Sequence, residues 1–287
     1  MFAIIGIVFS LFCTFLGFYL HGGSFGVFVE AWTEFVVIIG AGIGIFVGSN
    51  GIGGVKLAIS AFIHMLKPTP YTKPAYLDLL VMLYKFFTLS RTEGVLALES
   101  HIEDPHKSPI LSTNPAFLHN HHAIDFFCDT MKVVVTGGVQ PHDLADMMEK
   151  DLDAAHAEEN LSPDALQGIG DALPAVGIVA CVLGVIITMG HIGGEASEIG
   201  KAIGSALVGT LLGVMVAYLV VTPIVKAMQA QVRAAGQYMN CIRNAIECGV
   251  RGDPPMTAVE MARRNIEPGV RPSFSEMTTA IKERGKK

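Results

Sequence analysis

Three closely spaced histidines are the residues of this sequence best suited to bind a metal ion. His119, His121 and His122 precede Asp125, and imidazole and carboxylate groups are common zinc ligands. Helical spacing pairs His119 with His122, or one of the other two with Asp125, but no second cluster completes a coordination shell. We therefore interpret these histidines as solvated residues of a loop or a helix start, and we expect neither a metal nor a cofactor.

Hydroxyl groups are the main polar side chains in the last two apolar stretches, where they occur as Thr188, Ser205, Thr210 and Thr222. A hydroxyl can pass water or bond a carboxylate, but it cannot carry a proton at physiological pH. Because an ion path through lipid needs a charged or strongly polar group, this chain either conducts nothing or depends on a partner that brings a carboxylate. No arrangement of nucleophile and base indicates an enzyme.

Four apolar blocks must position these groups. They cover residues 1–29, 35–55, 172–194 and 202–225, and none of them contains Asp, Glu, Lys or Arg. Each is long enough to cross about 30 Å of hydrocarbon. The first block lacks a basic start and a cleavage site, so we expect a retained helix. The sequence predicts an all-α integral membrane protein with four transmembrane helices, and Glu34 is predicted to lie in the loop between the first two.

The basic residues predict the orientation of the spans. Of 20 Lys and Arg, 19 lie between spans two and three or after span four, which favours cytoplasmic termini and a cytoplasmic middle segment. The predicted domains are 1–55 (spans 1 and 2 with a short periplasmic loop), 56–171 (a helical cytoplasmic domain), 172–225 (spans 3 and 4) and 226–287 (a helical cytoplasmic tail). A net charge of −6 indicates no nucleic-acid partner, and the five cysteines form no disulfide pattern.

The cytoplasmic segments have helical periodicity. Apolar residues recur at helical spacing after Pro74 and are interrupted at Gly94. A second amphipathic helix is predicted to end at Gly137, and a third begins at Pro141. The tail is predicted to form a helix over 231–250 and one more near the end of the chain.

Glycine spacing predicts helix faces that allow close approach. Gly40, Gly44 and Gly48 recur every four residues in span two, and Gly209 and Gly213 do so in span four, with Ala180 and Gly184 in span three. Small residues at this spacing let helix backbones meet in lipid. Such a face either packs within the chain or lines a channel shared with a second protein.

Two prolines lie at the cytoplasmic ends of the last two spans. Pro174 is predicted to lie in the first turn of span three, where its missing N–H is harmless, and Pro223 is predicted to loosen the last turn of span four. Either each proline marks a helix boundary, or the two together lie around one cytoplasmic opening of a channel. Arg91 and Glu99, by themselves, read as a solvated pair two turns apart on one helix.

The ordered motifs along the chain resemble the MotA family of flagellar motor stator proteins over almost its whole length. They are GGSFG, VVIIGAGIG, YTKPAYLDLLVMLYKF, SRTEGVLALESHIEDP, GDALPAVGIVACVLGV, VGTLLGVMVAYLVVTP and RPSFSEM.

This resemblance implies a function and partners. Such proteins form a ring, thought to be five copies, around a dimer of the single-span protein MotB, whose transmembrane aspartate carries the proton in the inner membrane. By the resemblance, Arg91 and Glu99 meet the rotor protein FliG, and Pro174 and Pro223 couple ion passage to conformational change. Thr210, Ala180 and Cys181 would line the path beside the aspartate.

Alternatives remain for the ion that is transported and for the class of membrane protein. Sodium-driven relatives carry threonine where this chain has Cys181, so the resemblance favours protons. An ExbB/TolQ-like channel that energises an envelope process, a self-sufficient solute or metal transporter, and a membrane scaffold are the alternatives. The four spans and the Arg91/Glu99 pair favour the stator.

Overall fold

The computed structural model describes residues 2–190 and 196–284, and within them every regular element is a helix. The predicted all-α class is confirmed. The α-helices are α1 (Phe2–Leu20), α2 (Gly26–Glu30), α3 (Trp32–Met65), α4 (Lys73–Glu93), α5 (Glu99–Glu103), α6 (Pro115–Leu118), α7 (His121–Thr136), α8 (Pro141–Met189), α9 (Ala196–Met215), α10 (Thr222–Val250), α11 (Pro255–Arg264) and α12 (Phe274–Arg284).

The chain divides into two compact units by its internal contacts. The membrane unit comprises Met1–Pro68 and Glu159–Gln231, and the globular unit comprises Thr69–Glu158 and Val232–Lys287. These boundaries fall at 68, 158 and 231, whereas hydropathy alone divides the chain at 55, 171 and 225. Contacts and hydropathy differ here because α8 and α10 each contribute residues to both units.

Four helical stretches of the membrane unit are long and apolar enough to cross a bilayer, which confirms the predicted number of spans. Their outward side chains are large and apolar, including Phe9, Val36 and Ile186. Water would penalise such a surface, but hydrocarbon does not, and a helix satisfies its own backbone hydrogen bonds in lipid. The membrane unit is therefore suited to lipid on its outer face.

The interior of the membrane unit is a small cluster of mostly aliphatic side chains. It contains Ile38 of α3, Leu173 and Ala180 of α8, and Val208 and Leu212 of α9. Four phenylalanines between the end of α1 and α2 pack ring against ring, with centroids 5.4 to 6.3 Å apart. Helices α3, α8 and α9 thus form the packed part of this unit.

Helix α3 is interrupted at Gly51. The backbone there has φ 63° and ψ −178°, which a residue with a Cβ rarely adopts. The glycine-rich stretch GSNGIGG therefore breaks the helix in the span.

The globular unit has a core of large side chains centred on α4. Phe86 is fully buried and its ring centroid lies 4.8 Å from that of Phe127 on α7. The Asn120 side chain accepts a hydrogen bond from Ala123 N and caps α7, which ends at Gly137 with φ 78°. The predicted helices after Pro74 and before Gly137 are confirmed.

Helices α11 and α12 pack on α4 and complete the globular unit. Ser273 and Glu276 form a reciprocal capping box, with Ser273 N donating to Glu276 Oε2 at 2.6 Å and Glu276 N donating to Ser273 Oγ at 3.2 Å. Ion pairs from Lys73 to Glu276 and from Arg284 to Asp78, both 2.7 Å, join α12 to α4. The sequence predicted α12 but not α11.

All five cysteines are free thiols. Cys128 is buried in the globular unit, and burial raises its pKa to about 11, so this thiol stays protonated and unreactive at neutral pH.

Candidate functional site

The backbones of α8 and α9 lie in direct contact. A Cβ built on Gly213 would lie 2.6 Å from Leu173 O and 2.9 Å from Gly177 Cα, and one built on Gly177 would lie 2.9 Å from Gly209 O. Real side chains do not approach backbone atoms this closely, so glycine is required at both positions. The two spans are held together by backbone surfaces that any added side chain would separate.

The same contact continues toward the other end of α8. A Cβ built on Gly184 would lie 2.5 Å from Ala206 Cβ, and Ala180 is 1% exposed against Gly209. The structure therefore brings together the small-residue faces of spans three and four. Gly177 belongs to this face and escaped the prediction, although its spacing of seven residues from Gly184 was a signal.

The predicted small-residue face of span two does not pack against any other described residue. Gly40, Gly44 and Gly48 have no atom within 4 Å of a built Cβ, and all three are exposed. The buried face of α3 carries Ile38 and Gly42, and Gly42 would contact Leu173 with a Cβ. The span-two glycines take no part in the packing among the described residues, because they lie on the opposite side of the helix from Gly42.

The three residues assigned to the ion path lie close together but are not equally accessible. Ala180 is enclosed between α8 and α9, whereas Cys181 and Thr210 are half-buried. The Thr210 hydroxyl donates to Gly177 O over 3.4 Å, a long bond. Thr210 and Cys181 are therefore the members of the set with side chains partly open in the single chain.

Two other hydroxyls of the spans are used within their own helices. The Thr188 hydroxyl donates to Gly184 O at 2.8 Å, and the Thr222 hydroxyl donates to Ala217 O at 3.0 Å. Such bonds satisfy the hydroxyl proton in an apolar medium. These groups add no charge to the membrane unit.

Pro174 lies inside a helix, contrary to the prediction that it begins one. Helix α8 is continuous from Pro141 to Met189 and contains both Pro163 and Pro174. Pro174 has no N–H to donate to Gly170 O, so one helix hydrogen bond is missing there. The residues before span three carry no stop signal strong enough to end the helix, which is why it continues into the span.

Pro223 also lies inside a continuous helical stretch, not in its last turn. Helices α9 and α10 are joined without a break by a π-helical segment, Val216–Val221, and the helix continues to Val250. A π-helix donates from residue i to i−5, so the wider turn accommodates a proline that cannot donate to i−4. The Thr222 bond to Ala217 O spans the same five residues.

The segments that carry the two prolines adjoin. A Cβ built on Gly170 would lie 3.0 Å from Val221 Cγ1, so the turn before Pro174 packs on the turn before Pro223. Each segment lacks a regular helix hydrogen bond. The structure therefore places two weakened turns side by side in the membrane unit.

Glu34 lies in α3 and not in the loop predicted for it. It is 8% exposed, and its Oε2 has no hydrogen-bond partner among the described residues. A Cβ built on Gly209 would lie 2.9 Å from that oxygen. The prediction missed this because Glu34 directly precedes an apolar block, although its spacing of four from Ile38 and eight from Gly42 places it on the buried face.

Arg91 and Glu99 are exposed but do not share one continuous helix. Arg91 is in the last turn of α4, Gly94 follows with φ 89°, and a 3-10 turn over Val95–Leu98 leads to Glu99 at the start of α5. Among the described residues neither charge makes an ion pair. Between them Leu96 is 73% exposed, so this surface of the globular unit presents unpaired charges and an apolar side chain.

The histidine cluster lies around the start of α7. His119 Nδ1 is 2.6 Å from Pro115 O, Asn120 caps the helix, and His121 and His122 lie in its exposed first turn. Within the described residues no three His, Cys, Asp or Glu side chains are grouped to hold a metal ion. The side chains are arranged as a helix start.

Two protein-family models match the chain. One described as Motility protein A N-terminal matches residues 4–94, and one described as the MotA/TolQ/ExbB proton channel family matches residues 119–240. Motility protein A of Escherichia coli (strain K12) is 31% identical over 282 residues, covering 98% of this chain and 95% of the relative. Chemotaxis protein LafT of Vibrio parahaemolyticus is 30% identical over 279 residues, covering 97% of this chain and 98% of the relative.

Two solved structures have the same fold. The C. jejuni MotAB structure matches with a TM-score of 0.76 at 19% identity, over 95% of this chain and 98% of that one. The flagellar MotAB stator complex from Bacillus subtilis matches with a TM-score of 0.73 at 22% identity, over 96% and 98%. At these identities the likeness is one of fold.

Proposed function

The chain belongs to the Motility protein A family within the MotA/TolQ/ExbB proton channel family, and from this premise we propose that it is a stator subunit of a bacterial flagellar motor. With a MotB-like partner it conducts protons across the inner membrane and converts their flow into torque on the rotor. The observation that carries the proposal is similarity to Motility protein A over 98% of the chain, all four spans included.

The partner supplies the charge for the ion path. The hydroxyls of Thr188 and Thr222 are bonded to carbonyls of their own helices, and Ala180 is enclosed. A single-span protein with a transmembrane aspartate, lying beside Thr210 and Cys181, would complete a proton relay. Protonation of that aspartate removes a charge from a low-dielectric site and so changes which helix packing is favoured.

Several copies of the chain surround the partner. We propose a ring, a pentamer around a partner dimer, with lipid on its outer surface. The Gly40, Gly44 and Gly48 face is open among the described residues, which supports a contact with another chain. The distribution of Lys and Arg supports cytoplasmic termini and a cytoplasmic globular unit.

The helix turns next to Pro174 and Pro223 are the parts of the membrane unit that change conformation during ion passage. A proton crossing the membrane supplies about 2.3 kcal/mol per 100 mV, enough to bias a step but not to separate a large hydrophobic interface. The turns before Pro174 and Pro223 each lack a helix hydrogen bond, so they can rearrange within that limit.

The rotor contact is polar and rapidly remade. Arg91 and Glu99 meet complementary charges on FliG, and exposed ion pairs of this kind are worth about 0–1 kcal/mol each. Because both side chains are exposed and unpaired among the described residues, no internal bond must break before they engage.

Protons, not sodium ions, are the proposed coupling ion. Cys181 and Gly209 leave Thr210 as the main hydroxyl at that level of the spans. A sodium ion requires several oxygen ligands, whereas a proton requires a carboxylate and water.

Deletion and complementation in the source bacterium test the function. We expect deletion of this chain to abolish swimming but not flagellar assembly, and the wild-type chain to restore it. Arg91→Glu should lower swimming speed several-fold, whereas Arg91→Lys, the matched control, should retain most of it. Swimming should persist without sodium and stop with a protonophore.

Two outcomes would overturn the proposal. If the deletion strain swims normally but loses an envelope process, the ExbB/TolQ-like alternative applies. If the purified chain conducts ions in liposomes without a partner, a self-sufficient transporter applies.

A further inference from the structure

Glu34 is a carboxyl group buried within the membrane unit with no partner for one oxygen. The residue is 8% exposed, and Oε2 receives no hydrogen bond from any described residue. Charged side chains in a membrane helix are rare and mark functional groups by default. The proton path of the proposed function uses a carboxylate on the partner, so Glu34 is not explained by it.

Glu34 lies in the first turn of α3, but the residues it contacts lie well inside α8 and α9. Its Oε2 would be 2.9 Å from a Cβ on Gly209, which in turn would be 3.0 Å from Ala180 Cβ. Gly209 lies thirteen residues after the start of α9 at Ala196, about 20 Å along the helix axis. Ala180 lies nine residues after Asp171, about 13 Å along α8.

Among the described residues, no cation donates a hydrogen bond to the unpartnered oxygen of this carboxylate. In the part of the chain that the structure describes, the titratable groups nearest to these contacts along the helices are Glu30 on α2, Cys181 on α8, and Glu198 and Lys201 on α9, while Lys56 on α3 and Asp171 on α8 lie further along their helices. Glu30, Glu198 and Lys201 are exposed, and Lys201 is eight residues, about 12 Å, from Gly209 along the helix. Burying an unpaired carboxylate in such surroundings costs much more free energy than burying the neutral carboxylic acid.

We propose that Glu34 is a proton-binding site of this chain, which holds its proton while α3 lies against Gly209 and releases it when that contact opens to water. The proton therefore stabilises the packing of α3 on the α8–α9 pair. Gly209 is part of the site, because any side chain there would occupy the position of the carboxyl group.

Infrared difference spectroscopy tests the bound proton. The full chain is purified in mild detergent with whatever copurifies, near neutral pH, as wild type, Glu34→Gln and the matched control Glu30→Gln. We expect Glu34→Gln to lose one carbonyl band of a protonated carboxylic acid, and Glu30→Gln to lose only carboxylate bands. If Glu34→Gln does not accumulate, Glu34→Asp should retain the acid band at a shifted frequency. Loss of a carboxylate band alone from Glu34→Gln would overturn the proposal.

Hydrogen–deuterium exchange tests the link between the proton and packing. At neutral pH the amides of residues 34–42 should exchange equally in wild type and Glu34→Gln, since both are neutral there. At alkaline pH wild type should exchange at least several-fold faster than Glu34→Gln at the same pH. Equal exchange at both pH values would contradict the link, and an acid band that vanishes when sodium is added at constant pH would assign a metal cation instead. The readouts use no motility assay, so they can fail while the stator function stands.

Discussion

The two units of this chain are held together by different kinds of contact. The globular unit buries large side chains such as Phe86, Phe127 and Tyr76 around α4. The membrane unit buries smaller ones, and the close contact between Gly177 and Gly213 involves no side chain. Large apolar side chains of the membrane unit point outward instead.

The difference follows from the solvent. In water, burial of apolar area drives folding, so bulky residues gather inside. In lipid that driving force is absent between helices, and close backbone approach and hydrogen bonds replace it. The two units of one chain are thus stabilised by different interactions. Pairs of matched substitutions can measure the two kinds of interaction separately.

The greatest loss of stability is expected when an aromatic ring is removed from the core of the globular unit. Phe86→Ala should lower the free energy of unfolding by about 3–5 kcal/mol, because it deletes a fully buried side chain and leaves a cavity. Pulse proteolysis of the full chain in mild detergent measures this loss as a lower urea midpoint for unfolding of the globular unit. Phe274→Ala, at a 52% exposed ring of the same unit, should change the midpoint little. Equal shifts would refute the assigned core.

A single methyl group in the α8–α9 contact should have the next largest effect. Gly213→Ala should destabilise the membrane unit by about 1–3 kcal/mol, since the new Cβ meets the backbone at Leu173 O and Gly177 Cα. Gly204→Ala on the same helix is the control, because no described atom lies within 4 Å of a Cβ built there. Thermal aggregation of the chain in detergent should distinguish the two. A Gly213→Ala variant as stable as Gly204→Ala would mean that these backbones are not in contact.

Removing a hydroxyl-to-carbonyl hydrogen bond should cost a smaller amount of stability, and the cost should differ between the two units. Thr222→Val removes the donor to Ala217 O and should cost about 0.5–1.5 kcal/mol in the membrane unit. Thr92→Val removes an equivalent bond to Thr88 O on the exposed face of α4, where water replaces it at almost no cost. Both are measured by the same thermal assay with exchange of the local amides. The interpretation fails if the exposed bond proves the more costly one.

The smallest effect is a pH dependence confined to α12. Lys73 and the Ser273 amide and hydroxyl lower the pKa of Glu276 from its ordinary 4.5 to about 2. A lowered pKa in the folded state gives stability that is present above 4.5 and is lost as pH falls towards about 2. Proteolysis or exchange at α12 should therefore increase as the pH falls below about 4.5.

Glu276→Gln should remove most of that pH dependence. Glu283→Gln is the control, since Glu283 lies on the same helix and makes no ion pair among the described residues. If both variants loosen α12 with the same pH profile as wild type, the Lys73 pair is not what holds it.

Local signals in the sequence were sufficient where one residue decides the structure. The apolar spacing of α4, the Gly137 stop and the four apolar blocks were all predicted and are confirmed. The predictions for Pro174, in a first turn, and for Pro223, in a last turn, are wrong because a proline inside a long helix and a proline at a helix boundary have the same local sequence. Only the neighbouring turns decide which occurs, and here both helices continue.

The site depended on contacts that no local pattern contains. The spacing of Gly40, Gly44 and Gly48 equals that of a packed face, yet Gly42 on the other side is the one that packs. Glu34 looked like a loop residue because charge was used to mark the end of a span. Its burial depends on Gly209, which is remote in sequence.

The π-helical segment Val216–Val221 sets the phase of the residues that follow it. A π-helical segment accommodates one residue more than an α-helix would, and one added residue rotates every later side chain by about 100° about the helix axis. Deleting a single residue from this segment would leave a regular helix but turn Val225 and Met228, now buried, away from the interior. The number of residues in the segment therefore decides which later side chains face the interior, whichever aliphatic side chains the segment itself carries.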